Sequence, residues 1–174
     1  MKSNTFNEMI RPVLVLTVIC LIAAALLAGV NSLTAPIITE NARVKAENTR
    51  KEVLPGAGSF TAIDCDLAAM DLTSAFKEDK GLGYVFTSSH KGYGGPVVVT
   101  VGVSPAGEII GLSVDVSTET TGIGSKAGRA DYVDRFIGLS GDISQVDSIS
   151  GASYSSNAVK AGVEAALAAY EALR

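Results

Sequence analysis

The run from Pro12 to Val30, PVLVLTVICLIAAALLAGV, constrains this chain more than any other feature. No charged residue occurs between Arg11 and Glu40. As a helix the run spans roughly 28 Å, close to the thickness of a bilayer's hydrocarbon core. A helix apolar on every side has no place on the surface of a soluble domain. The run therefore predicts one membrane crossing, with one small domain behind it in a chain of 174 residues. A signal peptide has a shorter apolar core before a small-residue cleavage site. Ala23-Ala24-Ala25 offers such a site, but the length of the span favours an uncleaved anchor. Cys20 follows Ile19 inside the span, which argues against a lipoprotein-type modification. The expected organisation is a tail and transmembrane anchor over 1–33, a juxtamembrane helix and linker over 34–58, and a domain over 59–174.

Charge excludes some functions and leaves orientation open. From Glu40 onward there are 12 Lys or Arg against 17 Asp or Glu, a net charge of −5. A nucleic-acid-binding domain has the opposite bias, so no nucleic-acid partner is expected. Lys2 and Arg11 precede the span, while Arg43, Lys45, Arg50 and Lys51 follow it among acidic residues. The positive-inside rule therefore does not orient the chain. With one His, and with Cys65 the one cysteine outside the span, the domain has too few ligands for a zinc or four-cysteine iron–sulfur site. No disulfide framework is available. Any redox work requires an organic cofactor.

Periodicity predicts an α+β domain. After Asn31-Ser32-Leu33-Thr34-Ala35-Pro36, Pro36 either opens a new helix or kinks a continuing one, which runs to about Glu52. Leu54-Pro55-Gly56-Ala57-Gly58 breaks it. Residues 59–80 carry little periodicity. Gly83 to Ser88 and Val97 to Val103 read as strands. Glu108 to Val116 reads as a third, with Ile110, Leu112, Val114 and Val116 on one face. Ser104-Pro105-Ala106-Gly107 makes the last two a hairpin. Arg129 to Ile137 reads as a helix with Tyr132, Val133, Phe136 and Ile137 on its apolar stripe. Ser156 to Leu173 reads as an amphipathic helix.

The chemistry concentrates in Asp147-Ser148-Ile149-Ser150-Gly151-Ala152-Ser153-Tyr154-Ser155-Ser156-Asn157, just before that last helix. Serines before a helix are ordinary N-cap chemistry. The same loop also brings a hydroxyl to helix N–H groups that favour a phosphate. Asp147-x-x-Ser150-Gly151-Ala152-Ser153 resembles the flavinylation signature of the covalent FMN-binding domain family. Other segments resemble that family too: the turn Gly92-Tyr93-Gly94-Gly95-Pro96, the loop Glu119-Thr120-Thr121-Gly122-Ile123-Gly124 with Thr121 where Pro is usual, and the segment after the span. The order of these motifs is similar to that of the G subunits of Rnf electron-transport complexes. The C subunits of the sodium-translocating NADH:quinone oxidoreductase are related.

The resemblance implies a fold and a set of roles. The domain would be an antiparallel sheet packed by helices. FMN would be held through a phosphoester to Ser153, where the commoner residue is Thr, with Ser150, Gly151 and Ala152 completing the motif. Ser155 is the nearby competitor, better placed on local grounds to cap the helix while Ser153 precedes it. Glu119 and Thr120 would bond the polar edge of the isoalloxazine. Gly122 and Gly124, with Ile123, would let backbone approach the ring. Tyr93 and Tyr154 would flank it, or be buried in the core. A separate flavin transferase would install the cofactor. The partners would be the other membrane and redox subunits of an Rnf-type complex coupling ferredoxin–NAD electron flow to Na⁺ or H⁺ movement. The domain would lie on the extracytoplasmic side of the cell membrane. Two other readings stand beside this one. A cofactor-free, membrane-tethered binding or assembly module would use the serine loop only as a cap. A hydrolase built on Ser153, His90 and an Asp lacks the Gly-x-Ser-x-Gly elbow.

Overall fold

A computed structural model describes residues 3–174, with side chains from residue 9 onward. The chain divides into two compact units, one extending to Ala46 and the other comprising Glu47–Arg174.

The first unit is helix α1 (Ser3–Val53), which continues into the second unit for its last turns. It runs unbroken through Pro12 and Pro36, so Pro36 does not open a new helix. Val13, Leu16, Ile19, Leu26 and Val30 all stand exposed, with no protein surface over them. Such a helix requires lipid or other apolar partners. Its hydroxyls are satisfied internally: Thr17 donates to the Val13 carbonyl at 2.8 Å and Thr34 to that of Val30 at 2.9 Å. This is how polar side chains are tolerated in a span.

The second unit is a five-stranded antiparallel meander, β1 (Phe60–Ala62), β2 (Ser74–Glu78), β3 (Tyr84–Lys91), β4 (Pro96–Val103) and β5 (Ile109–Asp115), in spatial order β1-β2-β3-β4-β5. Helix α3 (Ser153–Leu173) covers one face. Val159, Val163, Ala166 and Tyr170 meet Phe86, Val97, Val99, Val101 and Val103, all buried. Each of the large ones stabilises the fold by about 1.5–3 kcal/mol on burial. Gly162 marks the closest approach: a Cβ there would sit 2.7 Å from Val99 Cβ.

The opposite face receives the end of α1. Val53 and Leu54 pack with Val85, and Gly102 and Gly111 are bare where the Val53 carbonyl lies. The Arg50 guanidinium stacks 4.2 Å from the Phe76 ring centroid.

Several expectations are corrected. Residues 59–80 contain β1 and β2. Their signal is weak because β1 is a three-residue edge strand and β2 buries a charged residue, Glu78. A bulge between Gly102 and Val103 shifts the β5 register. Ile109 is therefore buried and Ile110 faces outward. The helix expected from Arg129 to Ile137 is two short turns, the one-turn α2 (Ala130–Val133) and a 3₁₀ turn at Asp134–Phe136, preceded by a 3₁₀ turn at Gly124–Gly128. Ile137 leaves the stripe and is exposed, just before Gly138 at φ +81°.

Candidate functional site

The site forms where three segments meet at one end of the sheet: the Lys91–Pro96 turn between β3 and β4, the loop after β5, and the first turn of α3. The Gly92 amide donates to the Gly95 carbonyl at 2.9 Å, which makes the turn tight. Its glycines are required by what lies on them. A Cβ on Gly94 would meet the Thr118 carbonyl at 2.6 Å, and one on Gly95 the Thr118 Cβ at 2.7 Å. Thr118 Oγ1 also donates to the Pro96 carbonyl at 2.8 Å.

Glu119 joins all three segments. It is 7% exposed, and its carboxylate points inward. Oε1 accepts the amides of Tyr93 at 2.8 Å and Gly94 at 3.3 Å, and Oε2 accepts the Ser155 hydroxyl at 2.9 Å. A buried carboxylate must be satisfied in this way. Gly92 and Gly124 leave it room, since a Cβ on either would run into its oxygens.

Ser155 is therefore not a helix cap. It is buried and committed to Glu119. Helix α3 begins three residues earlier than expected, so Ser153 is its first residue instead of preceding it. The cap position holds Ala152, which has no side-chain oxygen, and the amides of Ser153, Tyr154 and Ser155 find no acceptor among the described residues. Ser156 is also internal: its hydroxyl donates to the Ala152 carbonyl at 2.8 Å and accepts the Ile149 amide at 3.2 Å. Ser148 donates to Asn157 at 2.8 Å. Of the five serine hydroxyls in the loop, those of Ser150 and Ser153 are left without a hydrogen-bond partner among the described residues, on exposed residues.

The surroundings of Ser153 are open and partly apolar. Gly151 has φ +79° and Gly122 φ +81°, and a Cβ on either would meet nothing within 4 Å. Tyr93 and Tyr154 are both exposed and lie together, their ring centroids 6.2 Å apart at 49°. They are not core tyrosines. Ile123 is also exposed. Thr120 is exposed, and its carbonyl accepts the amides of Ile123 at 3.1 Å and Ser125 at 3.3 Å. Lys126 stands exposed on the following 3₁₀ turn. The Thr118 and Ser125 contacts had no sequence signal beyond the nearby glycines. His90 lies 3.6 Å from Asp71 and makes no hydrogen bond to Ser153, so no catalytic triad forms.

An exposed hydroxyl at the head of a 21-residue helix, with three free amides behind it, fits a phosphate. Two exposed tyrosines and an isoleucine nearby fit a flat ring. The residues thus suit an FMN phosphoester, with Ser153, Tyr154 and Ser155 amides on the phosphate side.

Comparison with known proteins identifies the domain's family. Residues 92–168 match the FMN-binding domain family, and residues 1–53 match the RnfG N-terminal region. The chain is 31% identical to the G subunit of the Na(+)-translocating ferredoxin:NAD(+) oxidoreductase complex of Acetobacterium woodii, over 92% of this chain and 90% of that protein. It is 26% identical to the G subunit of the proton-translocating ferredoxin:NAD(+) oxidoreductase complex of Clostridium ljungdahlii, over 87% and 86%. It is 30% identical to the G subunit of the ion-translocating oxidoreductase complex of Stutzerimonas stutzeri, over 86% and 75%.

Proposed function

Because the chain belongs to the family of G subunits of Rnf-type ion-translocating oxidoreductase complexes, we propose that it is a membrane-anchored electron carrier. It holds FMN covalently on Ser153 and relays electrons between ferredoxin and NAD within such a complex. The observation that carries the attachment is the sorting of hydroxyls. Ser148, Ser155 and Ser156 are each committed to a hydrogen bond within the fold, while Ser153 is exposed at the helix head where the motif expects the acceptor. The bound flavin supplies the redox chemistry. The chain supplies amides toward the phosphate, tyrosines beside the ring, and an anchor that keeps the carrier near its partner subunits. A separate flavin transferase would install the group, with the Ser153 hydroxyl as the acceptor that would hold its phosphate. The domain lies on the extracytoplasmic side of the cell membrane.

Coexpression with a flavin transferase tests the reading. Visible flavin absorbance should survive denaturation, and FMN mass should map to the peptide bearing Ser153. Ser153→Ala should lose the flavin and keep its fold. FMN on Ser155, or retained in Ser153→Ala, refutes the assignment. A colourless wild-type protein supports the cofactor-free module instead. Protease added outside intact spheroplasts should digest the domain, and protection there reverses the orientation.

A further inference from the structure

Glu119 has the wrong geometry for a ring ligand. Both carboxylate oxygens are turned into the protein, on two amides of one segment and a hydroxyl of another. What it fixes is the distance between those segments. On one side is the turn that presents Tyr93. On the other is the first turn of α3, which presents Ser153 and Tyr154. The two tyrosines are neighbours in space, 6.2 Å between centroids, although 61 residues separate them in sequence. No hydrogen bond runs directly between the Tyr93 turn and the first turn of α3 among the described residues. The buried carboxylate is their hydrogen-bonded bridge.

We propose that Glu119 is a positioning residue for the flavin: it clamps the Tyr93 turn to the head of α3 and so sets the aromatic slot beside Ser153 without touching the ring. The proposal rests on the reading that FMN is held at Ser153. Charge-assisted hydrogen bonds from buried donors are the strong kind. Their loss frees the turn without removing the covalent link, so attachment and ring orientation become separable. The glycines at 92 and 124 belong to the same device, because the carboxylate occupies the space where their side chains would be.

Full-length protein in detergent, with and without covalent flavin, tests this as wild type, Glu119→Ala, Glu119→Gln and Ser155→Ala. Three readouts are taken: FMN mass on Ser153, amide hydrogen exchange at Tyr93 and Gly94, and visible circular dichroism of the flavin. Glu119→Ala should keep FMN on Ser153, exchange both amides about tenfold faster in either form, and alter the dichroism. Ser155→Ala should shift the dichroism in the same direction, although its hydroxyl is buried and cannot reach a ring outside. Glu119→Gln keeps a carbonyl oxygen for the amides, and its NH₂ can donate to Ser155, so it should restore most of the wild-type signal. Altered dichroism with unchanged exchange in Glu119→Ala, or unchanged dichroism in Ser155→Ala, makes Glu119 a direct ligand and overturns the proposal. If Glu119→Ala does not fold, Ser155→Ala and Glu119→Gln decide by the same readouts. Wild-type protein that takes up no flavin overturns the attachment reading alone. Amide exchange in flavin-free Glu119→Ala then decides the clamp, which an unchanged rate refutes.

Discussion

Ser155→Ala, coupled to a change at Glu119, separates a buried clamp from a helix cap. Ser155 is 1% exposed and its hydroxyl donates to Glu119 Oε2 at 2.9 Å. Removing it leaves Oε2 buried without its hydroxyl donor. Losing a hydrogen bond to a charged group costs about 1.5–3 kcal/mol. A lost cap costs about 1 kcal/mol, so the ranges are close and one variant alone is insufficient. A double-mutant cycle with Glu119→Ala, which removes the carboxylate and offers Ser155 no replacement, resolves them. If the two side chains form one interaction, the double variant should lose about 1 kcal/mol less than the sum of the singles. If Ser155 merely capped α3, the effects should add to within about 0.5 kcal/mol.

The assay is urea unfolding of the detergent-solubilised, flavin-free chain, followed by tyrosine fluorescence. The chain has no Trp, and Tyr132 and Tyr170 are buried, so the signal reports core opening. Ser153→Ala is the control: its hydroxyl is exposed and partnerless, and its midpoint should not move. An additive cycle, or a Ser155→Ala midpoint equal to wild type, would sink the argument that Ser155 is unavailable for modification because the fold uses it.

Other outcomes follow from the same packing. The Glu78 carboxyl is buried, which pushes its pKa up, but the amides of Leu82, Gly58 and Lys80 outweigh that and hold it below its ordinary value. Its stabilisation should be complete above the unfolded value, near pH 4.5, and drain away as the pH falls through the lower folded value. Glu78→Gln should therefore flatten the acid limb of a stability–pH profile, and an unchanged limb assigns acid unfolding to other groups such as Asp79 or Asp142. Gly162→Ala gains about 1 kcal/mol of helix propensity but forces a Cβ to 2.7 Å from Val99 Cβ; overpacking of about 1–3 kcal/mol should win, seen as a lower urea midpoint. Ser88 Oγ is buried without a hydrogen-bond partner among the described residues, so Ser88→Ala should be neutral or stabilising by about 1 kcal/mol, and a clear loss would reveal an ordered water.

What is legible in the sequence is what local rules decide. The membrane helix follows from one uncharged run, and α3 and the β4–β5 hairpin from periodicity and turn residues. Helix α3 nevertheless starts at Ser153, behind Ala152; local rules place its start later because they favour a polar cap. Strand β2 is hidden by Glu78, whose burial is acceptable only because donors from Gly58, Lys80 and Leu82 converge on it. Alternation puts Ile110 inside because it cannot register a bulge. In the site, the motif locates Ser153, but the job of Ser155 depends on Glu119, 36 residues away. No local pattern encodes that pair.

The glycines around the site serve two separable ends, and that difference can be measured. Gly122 has φ +81° with nothing within 4 Å of a built Cβ. Within the chain itself, only its backbone conformation calls for glycine. Gly122→Ala should cost about 1–2 kcal/mol of left-handed strain and leave the Glu119 clamp intact. Gly124 carries no such conformation, but it is buried, and a Cβ there would meet the Glu119 carboxylate and sit 2.7 Å from Ser155 Oγ. Its alanine variant should push apart the two groups that hold α3 to the Tyr93 turn. Both variants lower stability, so a denaturation midpoint does not distinguish them. Amide exchange at Tyr93 and Gly94 does: it should quicken in Gly124→Ala and stay at the wild-type rate in Gly122→Ala. Equal protection in both variants would mean that the carboxylate has room to spare, and that the glycine at 124 answers to something other than the clamp.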